Sequence, residues 1–222
     1  MQKLEIPTAA IVFDFDGTLV DSVDIKVSAF TNMFSSFGPE ILEKVRRYQT
    51  QNGFRARTEK IRFIYKEFLE KKITDLEVNE LCDKYSSLIE ELVIGADFVP
   101  GAWEFLEKNF QKFRIFLASA TPQAELDRII LKRGMLQYFT KSFGSPTTKP
   151  QAVDDILTRF ELRPSEVLFV GDSVLDYEAA LEKNCPFVAV SDSPNLFRVR
   201  NEFPKAIAYI HNILELTEIV EF

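Results

Sequence analysis

Two acids one residue apart end an apolar run near the start of the chain, in Ala9-Ala10-Ile11-Val12-Phe13-Asp14-Phe15-Asp16-Gly17-Thr18. The run Ala9 to Phe13 reads as a buried strand, and side chains alternate along a strand. Asp14 and Asp16 then leave its carboxyl end on the same side, with Gly17 allowing a sharp turn. Two carboxylates so close raise the energy of each other's ionised form unless a cation or a proton intervenes. The arrangement is costly unless chemistry requires it; an acidic strand-to-loop exit is the plainer alternative.

Three further segments place polar side chains at strand exits. Phe116-Leu117-Ala118-Ser119-Ala120-Thr121-Pro122 ends a strand in a small hydroxyl residue, just before a helix start where free N–H groups and the helix dipole favour an anion. Here Thr121 reads as an N-cap and Pro122 as the first helical residue. Thr147-Thr148-Lys149-Pro150 sets a Lys before a Pro-started helix. Phe169-Val170-Gly171-Asp172-Ser173-Val174-Leu175-Asp176 ends a buried strand in Gly and then two acids four residues apart, which are neighbours on a helix. Taken singly, these are equally a turn serine, a solvated lysine, and an N-cap acid with a solvent-facing acid.

The elements that must hold these residues alternate between strand and helix from Phe98 onward. A helix is predicted from Pro100-Gly101 to about Asn109, strands at Arg114 to Ser119 and Phe139 to Phe143, and a helix from Pro150. Val167 to Val170 forms the next strand, Val174 to Lys183 a helix, Phe187 to Val190 and Ala206 to Ile210 two more strands, and the tail past Asn212 a helix. Such alternation argues for a doubly wound parallel sheet, whose binding crevice lies beyond the carboxyl ends of its strands.

Residues 21–95 differ. Helical spacing runs through Val23, Val27, Phe30, Phe34 and Phe37 until Gly38-Pro39 breaks it, and three more helices are marked by Ile41/Val45/Tyr48, by Ile61/Ile64/Tyr65/Phe68/Leu69 and by Leu81/Tyr85/Leu88/Ile89/Leu92. Thr74-Asp75-Leu76-Glu77 is a capping box before the last. A single βαβ crossover needs one helix, so these four read as an inserted all-helical cap domain over 21–95, with 1–20 and 96–222 forming the α/β domain.

The chain of 222 residues carries 46% apolar and 27% charged residues, a soluble globular profile. Its net charge of -7 opposes binding to nucleic acid or an anionic membrane surface. Only Cys82 and Cys185 are present, too few and too far apart for a disulfide framework or zinc site. The first seven residues lack the layout of a secretory leader and no apolar run approaches a membrane span of ~18–20 residues, so the expected location is cytoplasmic. The single His211 is assigned to packing or solvent contact, and Trp103 to the core.

In combination and in order, the four segments resemble the motifs of the haloacid dehalogenase superfamily in its phosphohydrolase form, and more narrowly the phosphoglycolate phosphatase and β-phosphoglucomutase branch, whose helical cap follows the first motif. The resemblance implies a Rossmann-like core. It implies Asp14 as nucleophile, Asp16 as general acid and base, Ser119 and the Ala120 amide on the phosphoryl oxygens, and Lys149 neutralising the nucleophile and the transferring group. Relatives often carry Asn at the position of Ala120, so a side-chain contribution is missing there.

The resemblance further implies Mg2+ held by the Asp14 carboxylate, the Asp16 carbonyl and Asp172, with Asp176 behind them orienting a metal-bound water or Lys149. The expected reaction is hydrolysis of a small phosphorylated metabolite such as phosphoglycolate, a sugar phosphate or a sugar-acid phosphate. Asp16 argues for an oxygen-linked phosphate, since dehalogenase members carry Tyr there and phosphonate hydrolases Ala. Specificity is expected from the cap, where Arg55 or Arg57 in the basic stretch Arg55 to Arg62 would meet a carboxylate or second phosphate. A solvated basic helix face is the alternative. A phosphosugar mutase would use the same residues; a non-catalytic binding module would have lost some of them, and a dinucleotide-binding protein would carry GxGxxG, absent here.

Overall fold

A computed structural model describes residues 6–53, 55–193 and 195–221. Residues 1–5, read above for a leader, and Phe54, just before the basic stretch, lie outside the described residues. The chain divides into two compact units, one made of the chain up to Asp21 and from Asp97, the other of Ser22–Ala96.

In the first unit, strands β1 (Ile6–Pro7), β2 (Ala10–Phe13), β3 (Arg114–Pro122), β4 (Lys141–Ser145), β5 (Val167–Gly171), β6 (Phe187–Val190), β7 (Ala208–Ile210) and β8 (Val220–Glu221) form two sheets. A two-stranded pair joins β1 to β8; the main sheet has six strands in the order β4-β3-β2-β5-β6-β7. Every pairing is parallel, with Phe13 level with Leu117 on one side and Val170 on the other. A parallel sheet is covered on both faces, which is why β2, β5 and β6 are continuous apolar runs buried throughout.

Alternation divides the side chains between the two faces. Ala10, Val12, Phe116, Ala118, Phe169, Phe187 and Ala189 cluster with Ala152, Val153 and Ile156 of α7 (Lys149–Arg159) and with Tyr177, Ala179 and Ala180 of α8 (Val174–Glu182). On the opposite face Phe13 meets Phe105 of α5 (Ala102–Asn109) edge-on, ring centroids 5.8 Å apart. Fully burying each such phenylalanine stabilises the fold by about 1.5–3 kcal/mol relative to leaving it exposed. α6 (Gln123–Lys132) follows β3, and α9 (Leu196–Glu202) lies between β6 and β7.

Because the chain leaves β2 toward β3 and later returns to add β5 on its other flank, β2 stands at the reversal of strand order, where open α/β sheets bind ligands beyond their carboxyl ends. The doubly wound parallel sheet expected from the alternation is observed, with different element ends. β3 continues past Ser119 to Pro122, which pairs with Ser145 after a shift in register. Thr121 is therefore strand rather than N-cap, and α6 starts at Gln123. The tail after Asn212 is a 3-10 turn over Ile213–Glu218, and Trp103 is half-buried between Phe98 and Tyr138 rather than in the core.

The second unit is wholly helical: α1 (Val23–Asn32), α2 (Pro39–Asn52), α3 (Arg57–Phe63) and α4 (Asp75–Ile94). Its interior is aromatic, Phe30 packing on Phe34 and Tyr85, and toward its surface the half-buried Tyr48 stacks on the exposed Phe63 at 4.4 Å. α3 runs on into a π-helical turn at Ile64–Phe68. The Thr74 and Glu77 side chains cap α4 reciprocally.

Candidate active site

Asp14 follows β2 directly, its amide still donating to the Val170 carbonyl at 3.0 Å as though the strand continued. The chain then turns: Gly17 has φ of +85°, a left-handed conformation that glycine adopts without a Cβ penalty, and the Leu19 and Val20 amides both donate to the Phe15 carbonyl. Phe15 is fully buried and anchors the turn, leaving Asp14 buried and Asp16 half-buried at the carboxyl end of the sheet.

Three other strand or helix ends reach this point. Lys149, the first residue of α7, extends its ammonium to Asp14 Oδ1 at 3.1 Å and to Asp176 Oδ1 at 2.5 Å. Asp176, in the first turn of α8, is fully buried; its Oδ2 accepts from the Ser173 amide and hydroxyl, and the Ser173 hydroxyl in turn caps the Asp176 amide. Asp172, just beyond β5, accepts the Thr18 hydroxyl at 2.7 Å. Carboxylate oxygens of Asp14, Asp172 and Asp176 all lie within 4.8 Å of one another.

Gly171 makes this cluster possible. A Cβ there would stand 2.4 Å from both Cβ and Cγ of Asp176, so only the smallest residue lets Asp176 pack behind the strand end and reach Lys149.

The electrostatics follow from three carboxylates sharing one ammonium. Burial first, then Asp176, pushes Asp14 well above the usual carboxylate range, against the pull of Lys149. Asp172 is pushed up to about 7 by burial and Asp176, the Thr18 hydrogen bond opposing. Burial disfavours the charged Lys149, but Asp14 and Asp176 outweigh it and raise its pKa, so it stays an ammonium. Hard oxygen donors in excess of positive charge suit a divalent cation.

Ser119 is buried and on the next strand, its Oγ accepting the Thr121 amide at 3.1 Å, while Ala120 between them is exposed. The Thr121 hydroxyl donates to Asp16 Oδ2 at 3.2 Å. Asp14, Asp16, Ser119, Lys149, Asp172 and Asp176 thus belong to one end of one sheet. Arg55 and Arg57 belong to the helical unit: Arg55 Nε donates to Asn52, while Arg57 donates to the Ser86 hydroxyl at 2.6 Å and lies over the Tyr85 ring. His211 is exposed, with Nδ1 against the Ser191 carbonyl. Thr18, Thr121 and Ser173 escape the sequence reading; only Ser173 has a local signal, the Ser-x-x-Asp capping pattern.

A doubly wound parallel sheet carrying an acid pair after its central strand, with a lysine and a second acid pair converging on it, defines a class of acid-dependent α/β enzymes. The haloacid dehalogenase-like hydrolase family matches residues 11–190, and the chain belongs to that family. Among curated relatives, phosphoglycolate phosphatase of Synechococcus elongatus is 25% identical over 82% of this chain and 83% of its own length. Phosphoglycolate phosphatase 1 of Pseudomonas aeruginosa is 29% identical over 77% of this chain and 64% of its own. Of solved structures, a haloacid dehalogenase-like family hydrolase from Streptococcus pneumoniae shares the fold with a TM-score of 0.69 at 19% identity, covering 95% of this chain and 97% of its own. A haloacid dehalogenase-type hydrolase from Bacillus subtilis, solved with magnesium bound, gives 0.73 at 16% identity over 96% and 98%. Among the described residues no helix is long and apolar enough to cross a membrane.

Proposed function

We propose that the protein is a Mg2+-dependent phosphatase that hydrolyses a small oxygen-linked phosphomonoester through an aspartyl-phosphate. The observation that carries this reading is the Lys149 ammonium joined to both Asp14 and Asp176, with Asp172 beside them, at the carboxyl end of the central strand. A nucleophilic carboxylate must be ionised to attack an already anionic phosphate, and both charges need neutralising. Lys149 supplies one compact positive charge. The Asp14 carboxylate, the Asp16 carbonyl and Asp172 would hold a divalent cation, which when bound supplies the remaining charge neutralisation and favours the ionised Asp14 and Asp172 that burial and Asp176 disfavour. The magnesium in the Bacillus subtilis relative supports that choice of metal.

A carboxylate oxygen of Asp14 attacks phosphorus in line; the new O–P bond forms as the ester O–P bond breaks, and Asp16 passes its proton to the departing alkoxide. Water then attacks the phosphorus of the aspartyl-phosphate, Asp16 takes its proton, and inorganic phosphate leaves with Asp14 restored. Ser119 and the exposed Ala120 amide bind the phosphoryl oxygens, and Asp176 holds Lys149 in place. Phosphoglycolate is the first substrate to try, since the relatives at 25–29% identity carry that name. The test is phosphate release from phosphoglycolate and p-nitrophenyl phosphate with and without Mg2+. Release should require the metal and fall by about a thousandfold or more in Asp14→Asn; undiminished release by that variant overturns the assignment, and rearranged product without free phosphate identifies a mutase.

A further inference from the structure

The hydroxyl of Thr121 points to a role that none of the four motifs assigns. β3 runs three residues beyond Ser119, and along this stretch Ala120 is exposed while Ser119 and Thr121 are both buried. Ala118 pairs with Phe143 and Pro122 with Ser145 across a register shift, so Thr121 lies in a bulge that the neighbouring strand holds at both ends. It is 3% exposed, its amide donates to Ser119 Oγ and its hydroxyl donates to Asp16 Oδ2 at 3.2 Å. A buried side chain thereby links the two strand exits that hold Ser119 and Asp16.

We propose that Thr121 is a positioning residue for Asp16, fixing its carboxyl group so that the proton is delivered to the departing ester oxygen. The inference rests on Asp16 acting as the general acid. In that step the O–P bond of the ester breaks, the Asp14 O–P bond forms, and the Asp16 proton passes to the leaving oxygen. The position of the acid matters in proportion to how much the leaving group needs the proton. An alkoxide needs it; p-nitrophenolate, a stable anion, leaves almost without it. A residue that only supports the fold would slow both substrates alike.

The experiment compares kcat/KM, which reports the bond-breaking step, for phosphoglycolate and for p-nitrophenyl phosphate in the Mg2+-loaded protein. Thr121→Val keeps the shape and removes the donor. It should lower kcat/KM about tenfold for the alkyl phosphate, the upper end for the loss of a hydrogen bond to a neutral carboxyl group, and less than about twofold for p-nitrophenyl phosphate. Thr121→Ser, which keeps the hydroxyl, should retain the parent ratio between the substrates. Thr121→Ala repeats the comparison should the valine variant fail to fold. Equal losses on both substrates, or none, overturn the proposal. Asp16→Asn separates the two levels of reading. If it shows no loss selective for the alkyl phosphate, the general-acid assignment itself falls; if it does and the Thr121 variants do not, only the positioning role falls.

Discussion

Replacing Gly171 by alanine adds one methyl group, touches no reacting atom, and should nevertheless disable the site. The added Cβ would lie 2.4 Å from Cβ and Cγ of Asp176 and 2.7 Å from its Oδ2, whereas carbon atoms at rest sit about 3.5–4.0 Å apart. Relief therefore needs a displacement of about 1 Å. Asp176 cannot simply rotate aside, because it is fully buried and its two oxygens are taken by Lys149 and Ser173. Either the carboxylate gives up Lys149 or the first turn of α8 moves away from β5. Overpacking of this kind costs about 1–3 kcal/mol, and with a shift of about 2–4 °C per kcal/mol for a chain of this size the melting temperature should fall by about 2–12 °C. Lys149 would lose the partner that aims it at Asp14, and a misplacement of about 1 Å near the reacting centre lowers the rate by about a hundredfold. The assay is kcat for phosphate release at a temperature well below the melt, per folded molecule, beside a thermal melt. A variant with parental kcat and melting temperature would refute the packing argument, and one that loses stability but keeps kcat would show that Asp176 does not aim Lys149.

Two further predictions concern pH. Asp172 titrates in the fold near 7, above its ordinary 3.8, so the folded chain holds a proton that the unfolded chain releases; the associated stability is complete below about pH 4 and lost as pH rises to about 7. In EDTA the protein should therefore lose about 1–3 kcal/mol between those limits, and Mg2+ should abolish the slope; thermal melts that are flat in EDTA would contradict this. Lys60, in α3 of the helical unit, is 4% exposed, donates to the Gly53 carbonyl at 3.1 Å, and is depressed to about 7 by burial and by Arg57 and Lys26. The unfolded chain keeps that proton up to about 10.5, so stability should rise as pH increases from 7, and Lys60→Met should melt higher than the parent at pH 7, by about 1–3 kcal/mol, with that rise gone; a lower melt would refute it.

What the sequence made legible was what chain-local physics decides. Val167 to Val170 and Phe187 to Val190 could be read because strands buried on both faces must be apolar at every position, and the helices because their apolar residues recur at fixed spacing. The illegible features depend on partners distant in sequence. β3 extends to Pro122 because Ser145, on a strand not yet formed when the segment is read, pairs with it after a register shift. That extension turned a supposed N-cap hydroxyl toward Asp16. The bond from Thr18 to Asp172 spans 154 residues and has no local trace. α9 carries only a seven-residue span behind its Asn195 cap, too short for periodicity to declare. Ser173 could have been found, since its capping pattern with Asp176 is local; reading the two aspartates as one helix face obscured it.

The same contrast explains why the site is built from strand ends. Three carboxylates around one ammonium, mostly withdrawn from water, form a cluster that no local preference would create, and burying such charges gains little stability even when they are paired. The cluster persists because its members have little freedom to separate. Asp14 continues the β2 ladder, Asp172 follows a strand in register with it, Lys149 begins α7, and Asp176 is clamped by the cap of α8 against a glycine. The apolar sheet and its helices supply the stability that holds these charges together, and the resulting excess of negative potential at one edge is what a metal ion and a phosphoryl group, arriving together, are suited to balance.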